Sequence, residues 1–187
     1  MDHYQALRLL PDPEFSPTVL LNALFAKLHR ALVDLPEPRV GISFPEYDAA
    51  GQSLGERLRI HGSAAMLAAL SEQPWLRGMR DHIANGPITV APETSHSVRV
   101  RRVQAKSSPE RLRRRLLRRH GLTPEAAIAR QPLRDGERLS LPWLEVHSTS
   151  TGQRFRLFID QQVHPEPPMS GQFSPYGLSA TASLPWF

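Results

Sequence analysis

The chain has 187 residues, 40% of them hydrophobic, and a formal net charge of +5, enough apolar content to build a core in one large domain or two small ones. It contains no cysteine, which excludes disulfides, thiolate catalysis and cysteine-based zinc sites. The opening MDHYQALRLLPDPEF lacks a signal-peptide core and no apolar run approaches a membrane span, so a cytoplasmic protein without a membrane partner is expected.

Residues 3–9 read as a strand, closed by the turn-prone Pro11-Asp12-Pro13. Residues 17–35 read as a helix, because Leu21, Leu24, Phe25, Leu28 and Leu32 recur on one face. Pro36 and Pro38 are expected to end it. Strands are predicted over 39–44 and 56–61, and Ser63 can cap a short Ala/Leu helix to about residue 71. The stretch 75–83 is ambiguous, and 87–92 is expected to supply a last strand. The resulting order, β-α-β-β-α-β, is the split ferredoxin-like arrangement. The expected fold class is thus α+β. A ferredoxin-like domain over 1–94 precedes a C-terminal α/β domain over 95–187 that carries an arginine-rich helix.

Residues 91–97 read as a linker and 97–104 as a strand. Ser108-Pro109 then opens a strong helix, and Gly121 stands where helices commonly stop. Residues 143–150 and 153–159 resemble two strands joined through Gly152. The tail GQFSPYGLSATASLPWF reads as a loop ending in an aromatic anchor.

Charge is concentrated in one element. Residues 99–120 hold ten of the 23 basic residues and a single acid, so this stretch carries +9 and leaves −4 for the rest of the chain. Arginines number 21 and lysines two, and guanidinium groups fork onto phosphates and guanine edges. On a helical wheel Arg111, Arg114, Arg115, Arg118 and Arg119 fall within an arc of about 140°, opposite Leu112, Leu116 and Leu117. Twelve residues span roughly 18 Å, enough to lie along a nucleic-acid groove. Such neighbouring like charges repel unless a polyanion relieves them. The element alone does not distinguish DNA from RNA. On the preceding strand Arg102 and Gln104 project from one face, and these side chains pair with guanine and adenine respectively.

RNA carries its own nucleophile, the 2′-hydroxyl, so cleavage needs only a base, charge stabilisation and a proton for the leaving oxygen. A neutral histidine suits the base role. The chain lacks HExxH, clustered carboxylates and a convincing His/Asp ligand set, so neither a metal nor a cofactor is expected. Eight histidines compete for the role. His29 borders the apolar stripe of the first helix, four residues after Phe25, where it can face a cleft. His147 lies beside the hydroxyl-rich run 148–151, but no G-x-S-x-G elbow supports a serine hydrolase. A hairpin-binding protein without catalysis would need the same cationic helix but not His29. A DNA-binding regulator is disfavoured by the missing helix-turn-helix pair.

Several motifs resemble one family along nearly the whole chain. They are MDHY with PDPEF, LFAKLH ending at His29, GERLRIH, the run RVQAKS, PERLRRRL and RRH, then STGQ and FRLFI, and the terminal YGLS and PWF. The chain is similar to the CRISPR repeat-processing endoribonucleases of type I-F systems. The resemblance implies binding of the hairpin formed by each CRISPR repeat, as precursor and as mature crRNA, and cutting at the 3′ base of the stem. It also implies a partnership with other subunits of the type I-F surveillance complex. By motif, His29 would be the general base, Ser148 would position the ribose and Tyr176 would orient the histidine. Arg115, Arg118 and Arg119 would contact phosphates in the major groove, with Arg111 and Arg114 on the same helix. Arg102 would read a guanine and Gln104 an adenine, Phe155 would stack on the terminal base pair, and Ser150 and Thr151 would hold the scissile region. The products would be a 5′-hydroxyl and a 2′,3′-cyclic phosphate. The variable stretches 34–54, 84–97, 122–146 and 160–170 leave the hairpin sequence open.

Overall fold

The structure is a computed structural model that describes residues 1–35, 40–104, 117–119, 123, 126, 139–147 and 152–187. Its contacts divide the chain into two compact units, Met1–Arg102 with Leu141–Phe187, and Val103–Ser140. The fold is mixed α and β, with antiparallel sheets and few helices.

The first unit begins with β1 (His3–Leu9), followed by α1 (Pro17–Val33). Proline at the first helical turn sacrifices no hydrogen bond there. The predicted stripe, Leu21, Leu24, Phe25, Leu28 and Leu32, is buried in full, and Leu20 and Ala31 are buried with it. Each large apolar side chain so buried contributes about 1.5–3 kcal/mol. The helix ends at Val33, and the Asp34 amide donates to the Arg30 carbonyl. β2 (Gly41–Ser43), β3 (Arg57–Gly62) and α2 (Ala64–Glu72) come next, and the Ser63 hydroxyl caps α2 by accepting from the Met66 amide.

Residues 74–82 resolve as two short 3₁₀ turns, Pro74–Leu76 and Arg80–His82. The strand expected over 87–92 is cut to its middle two residues. The C-terminal end of β1 is paired with β4 (Ile83–Asn85), opposite Leu7, Arg8 and Leu9. Only Thr89–Val90, β5, continues the ladder, opposite Tyr4 and His3. Gly86 and Pro87 separate the two pieces: the Gly86 amide donates to the Ala6 carbonyl, while Pro87 has no N–H to offer. The strand order is β2-β3-β1-β4, with β5 also on β1.

The second sheet, order β7-β8-β6-β9, is drawn from β6 (Ser97–Val103), β7 (Trp143–His147), β8 (Arg154–His164) and β9 (Leu184–Pro185). β8 runs five residues beyond the predicted 153–159. Its Gln161 amide grips the Phe44 backbone at both ends, accepting from the N–H at 2.8 Å and donating to the carbonyl at 2.7 Å. The Asn22 side chain accepts the Glu145 amide at 3.0 Å and so fixes α1 against β7.

The tail is more than a loop. It buries Phe173, Leu178, Ala182 and Leu184 and adds β9 to the second sheet. Its backbone reaches both sheets, since the Gly177 carbonyl accepts from the Ile42 amide and the Ser179 amide donates to the Val100 carbonyl. Gly41 permits this approach: a Cβ there would lie 2.6 Å from Leu184 and 2.8 Å from Phe173.

One buried polar pair makes stability depend on pH. His61 is fully buried on β3, its Nε2 2.9 Å from the Ser43 hydroxyl. Burial, with the Arg59 charge second, pushes its pKa from the ordinary 6.5 down to about 3. Between those values the unfolded chain binds a proton here that the folded chain refuses. The contribution is therefore present above about pH 6.5 and is lost progressively as pH falls towards 3, by at most about 1.4 kcal/mol per pH unit. The urea midpoint should drop between pH 7 and pH 5, and His61→Gln should flatten that drop. Parallel losses in both proteins would remove His61 as the cause.

Candidate active site

The site grows from the edge of the α1 stripe. Phe25 and His29 stand one helical turn apart, Phe25 in the core and His29 half-buried beside it. Against them lies the tail segment Ser174-Pro175-Tyr176-Gly177. The Tyr176 ring stacks on the His29 imidazole with centroids 4.0 Å apart and planes 9° from parallel. It also lies parallel to Phe25, at 6.3 Å. The His29 Nδ1 stands 3.0 Å from the Pro175 carbonyl. A carbonyl can only accept, so Nδ1 carries the proton and donates it. In the neutral ring the lone pair then belongs to Nε2, the nitrogen facing away from this contact. Held by a face and by one nitrogen, the imidazole presents a single basic atom.

The other described histidines are placed differently. His61 is buried, and His82 is bound to Asp12 at 2.8 Å. Asp12 also accepts the Glu14 and Phe15 amides, which, ahead of His82, hold its carboxyl below the usual carboxylate range. That pair ties down the turn after β1. His3 lies 3.2 Å from the Asp2 carboxylate, His96 contacts Ser95, His147 is exposed at the end of β7, and His164 is half-buried at the end of β8. Among the described residues, no group of three or more His, Asp or Glu is placed to hold a metal ion, and no helix is long and apolar enough to cross a membrane.

A second pair of predicted residues also meets. The Arg102 guanidinium lies over the Phe155 ring, 5.5 Å from its centroid. Arg102 is exposed on β6 and Phe155 is half-buried on β8, opposite Val146 in register. A cation and an aromatic face presented together suit a base and its phosphate.

In the unit Val103–Ser140, Gln104 is exposed just past the end of β6. Residues 117–119 are helical, with Leu117 half-buried and Arg118 and Arg119 exposed, the sidedness expected of the cationic helix. Arg111, Arg114, Arg115, Ser148, Ser150 and Thr151 lie outside the described residues. The contact that sequence reasoning missed is the Pro175 carbonyl. Every residue carries one, and nothing local marks this one as the partner of a side chain 146 positions away.

The profile of the family described as CRISPR-associated protein (Cas_Csy4) matches residues 4–187. A protein of Pseudomonas aeruginosa (strain UCBPP-PA14) named CRISPR-associated endonuclease Cas6/Csy4 is 51% identical over 187 residues, the whole of both chains. One of the same name from Escherichia coli (strain UTI89 / UPEC) is 46% identical, again over the whole of both. The resemblance read from the RVQAKS, PERLRRRL and YGLS motifs is therefore borne out: this chain belongs to the Csy4 family of CRISPR-associated proteins.

Proposed function

We propose that the protein is an endoribonuclease that binds the stem-loop of a CRISPR repeat and cuts the precursor RNA at the 3′ base of the stem. The observation that carries this reading is the His29 imidazole, stacked on Tyr176 and bonded through Nδ1 to the Pro175 carbonyl. The endonuclease names of the two full-length relatives support it, as does the concentration of charge in residues 99–120.

In this mechanism Nε2 of His29 takes the proton of the 2′-hydroxyl. The freed oxygen attacks the adjacent phosphorus and the P–O5′ bond breaks, the 5′ oxygen taking a proton from water, which leaves a 2′,3′-cyclic phosphate and a 5′-hydroxyl. The nucleophile belongs to the substrate, so no metal is required to generate it. Ser148 would position the ribose, and Ser150 and Thr151 would hold the scissile region. Phe155 would stack on the terminal base pair, while Arg102 and Gln104 read guanine and adenine. Arg111, Arg114, Arg115, Arg118 and Arg119 would line the groove, worth about one unit of salt slope for each phosphate contact.

The same reading assigns 1–94 as a ferredoxin-like domain and 95–187 as the RNA-binding domain. The element order β-α-β-β-α-β and the antiparallel order β2-β3-β1-β4 support the first assignment. The protein would act in the cytoplasm, keep its crRNA product and join the other subunits of a type I-F surveillance complex.

The test uses a repeat hairpin and the same hairpin 2′-deoxy at the scissile nucleotide, each in excess chelator. The all-ribose RNA should be cut, and the deoxy RNA should be bound at similar affinity and left whole. Cutting of both would reject the 2′-hydroxyl as nucleophile, and loss of cutting in chelator would reject metal independence. Binding of both without cutting of either, with or without divalent metal, would favour a hairpin-binding protein without catalysis.

A further inference from the structure

We infer that the turn Ser174–Gly177, pinned to the edge strand β2, is a positioning device for His29, and that Gly177 is the residue it cannot replace. This rests on His29 acting as the base. The sequence Ser-Pro-Tyr-Gly matches the preferences of a type I turn at the first, second and fourth positions. The turn closes through the Gly177 amide, which donates to the Ser174 carbonyl at 2.8 Å, and the Ser174 amide donates to the Leu178 carbonyl at 2.8 Å. The closing bond uses the carbonyl of Ser174, so the carbonyl of Pro175 is left over. That is the group His29 Nδ1 meets at 3.0 Å. One turn thus supplies both contacts to the imidazole, an acceptor for one nitrogen and, from the next residue, an aromatic face.

The turn needs an anchor, and β2 provides it. The Ile42 amide donates to the Gly177 carbonyl at 3.0 Å, and Ile42 is fully buried. Gly177 has φ +71°, where a side chain is strained. A Cβ at this position would also lie 2.9 Å from Ile42 Cγ2 and 3.3 Å from Cγ1. Those atoms belong to a branched core side chain with no room to withdraw. Any substitution must therefore push the turn off β2, moving the Pro175 carbonyl and the Tyr176 ring together. Gly177 touches neither substrate nor reacting atoms. It acts through the base, by holding the proton on Nδ1 and the lone pair on Nε2.

The experiment compares wild type with Gly177→Ala in single-turnover cleavage, hairpin affinity and ¹⁵N NMR of histidine-labelled protein at alkaline pH. In the wild type, His29 should show a protonated Nδ1 and a bare Nε2. In Gly177→Ala the two tautomers should mix, and the rate should fall at least about tenfold, part of the roughly 10²–10⁴-fold value of a general base. Hairpin Kd should stay within about twofold, because no RNA contact is lost. A wild-type ring protonated on Nε2 would overturn the inference, whether or not the variant folds. So would a folded Gly177→Ala protein that cuts at the wild-type rate. The base assignment fails separately: it falls if His29→Ala still cuts, whereas a dead His29→Ala with the opposite tautomer removes only the role of the turn.

Discussion

Replacing His29 with alanine is expected to lower the single-turnover cleavage rate by about 10²–10⁴-fold while leaving hairpin affinity nearly unchanged. The separation follows from where the side chain sits. His29 lies on α1, stacked on Tyr176 and bonded to a backbone carbonyl. Of the groups proposed to grip RNA, Arg102 lies instead on β6 and Phe155 on β8. Stability should change little, because the ring is half-buried at the border of the stripe and its loss opens no core cavity. A filter-binding Kd and a rate measured on the same preparation provide the check. Cleavage at the normal rate would remove His29 from the site. A parallel collapse of affinity would move it from chemistry to binding.

Replacing Phe44 with alanine is expected to destabilise the fold by about 3–5 kcal/mol, the range for deleting a fully buried phenylalanine. Phe44 has no exposed surface. It follows β2, and its backbone is held at both ends by Gln161 of β8. The ring therefore fills the core at the point where the two sheets are tied. A cavity there cannot close easily, because those hydrogen bonds hold the surrounding backbone in place. Urea unfolding gives the number directly. A loss under about 1 kcal/mol would mean that the site collapses freely and that Gln161 is not the clamp described here.

Much of the fold was legible along the chain. The apolar stripe of α1, the strand β1 and the Ser63 cap each depend on residues within a few positions, and each appears within a residue or two of its expected bounds. The shortening of the strand expected over 87–92 has a different cause. Residues 87–92 carry strand-like composition, but β1 pairs first with Ile83–Asn85, and Pro87 interrupts the ladder before Thr89. Pairing is a contest between segments, and composition does not record which one wins. The tail was read as a loop because its order comes from distant partners, Ile42, Val100 and His96, rather than from any period of its own.

The cationic element needed no structure to be noticed, since ten basic residues within 22 positions signal a polyanion by charge alone. The motif resemblance singled out one histidine, but local sequence could not say why it should differ from the other seven. The answer lies in a turn near the other end of the chain, which brings a carbonyl and an aromatic face to one imidazole. Charge and periodicity are sums over neighbours, so a linear reading recovers them. The direction of a lone pair depends on which remote backbone atom arrives beside the ring, and only folding brings the two together.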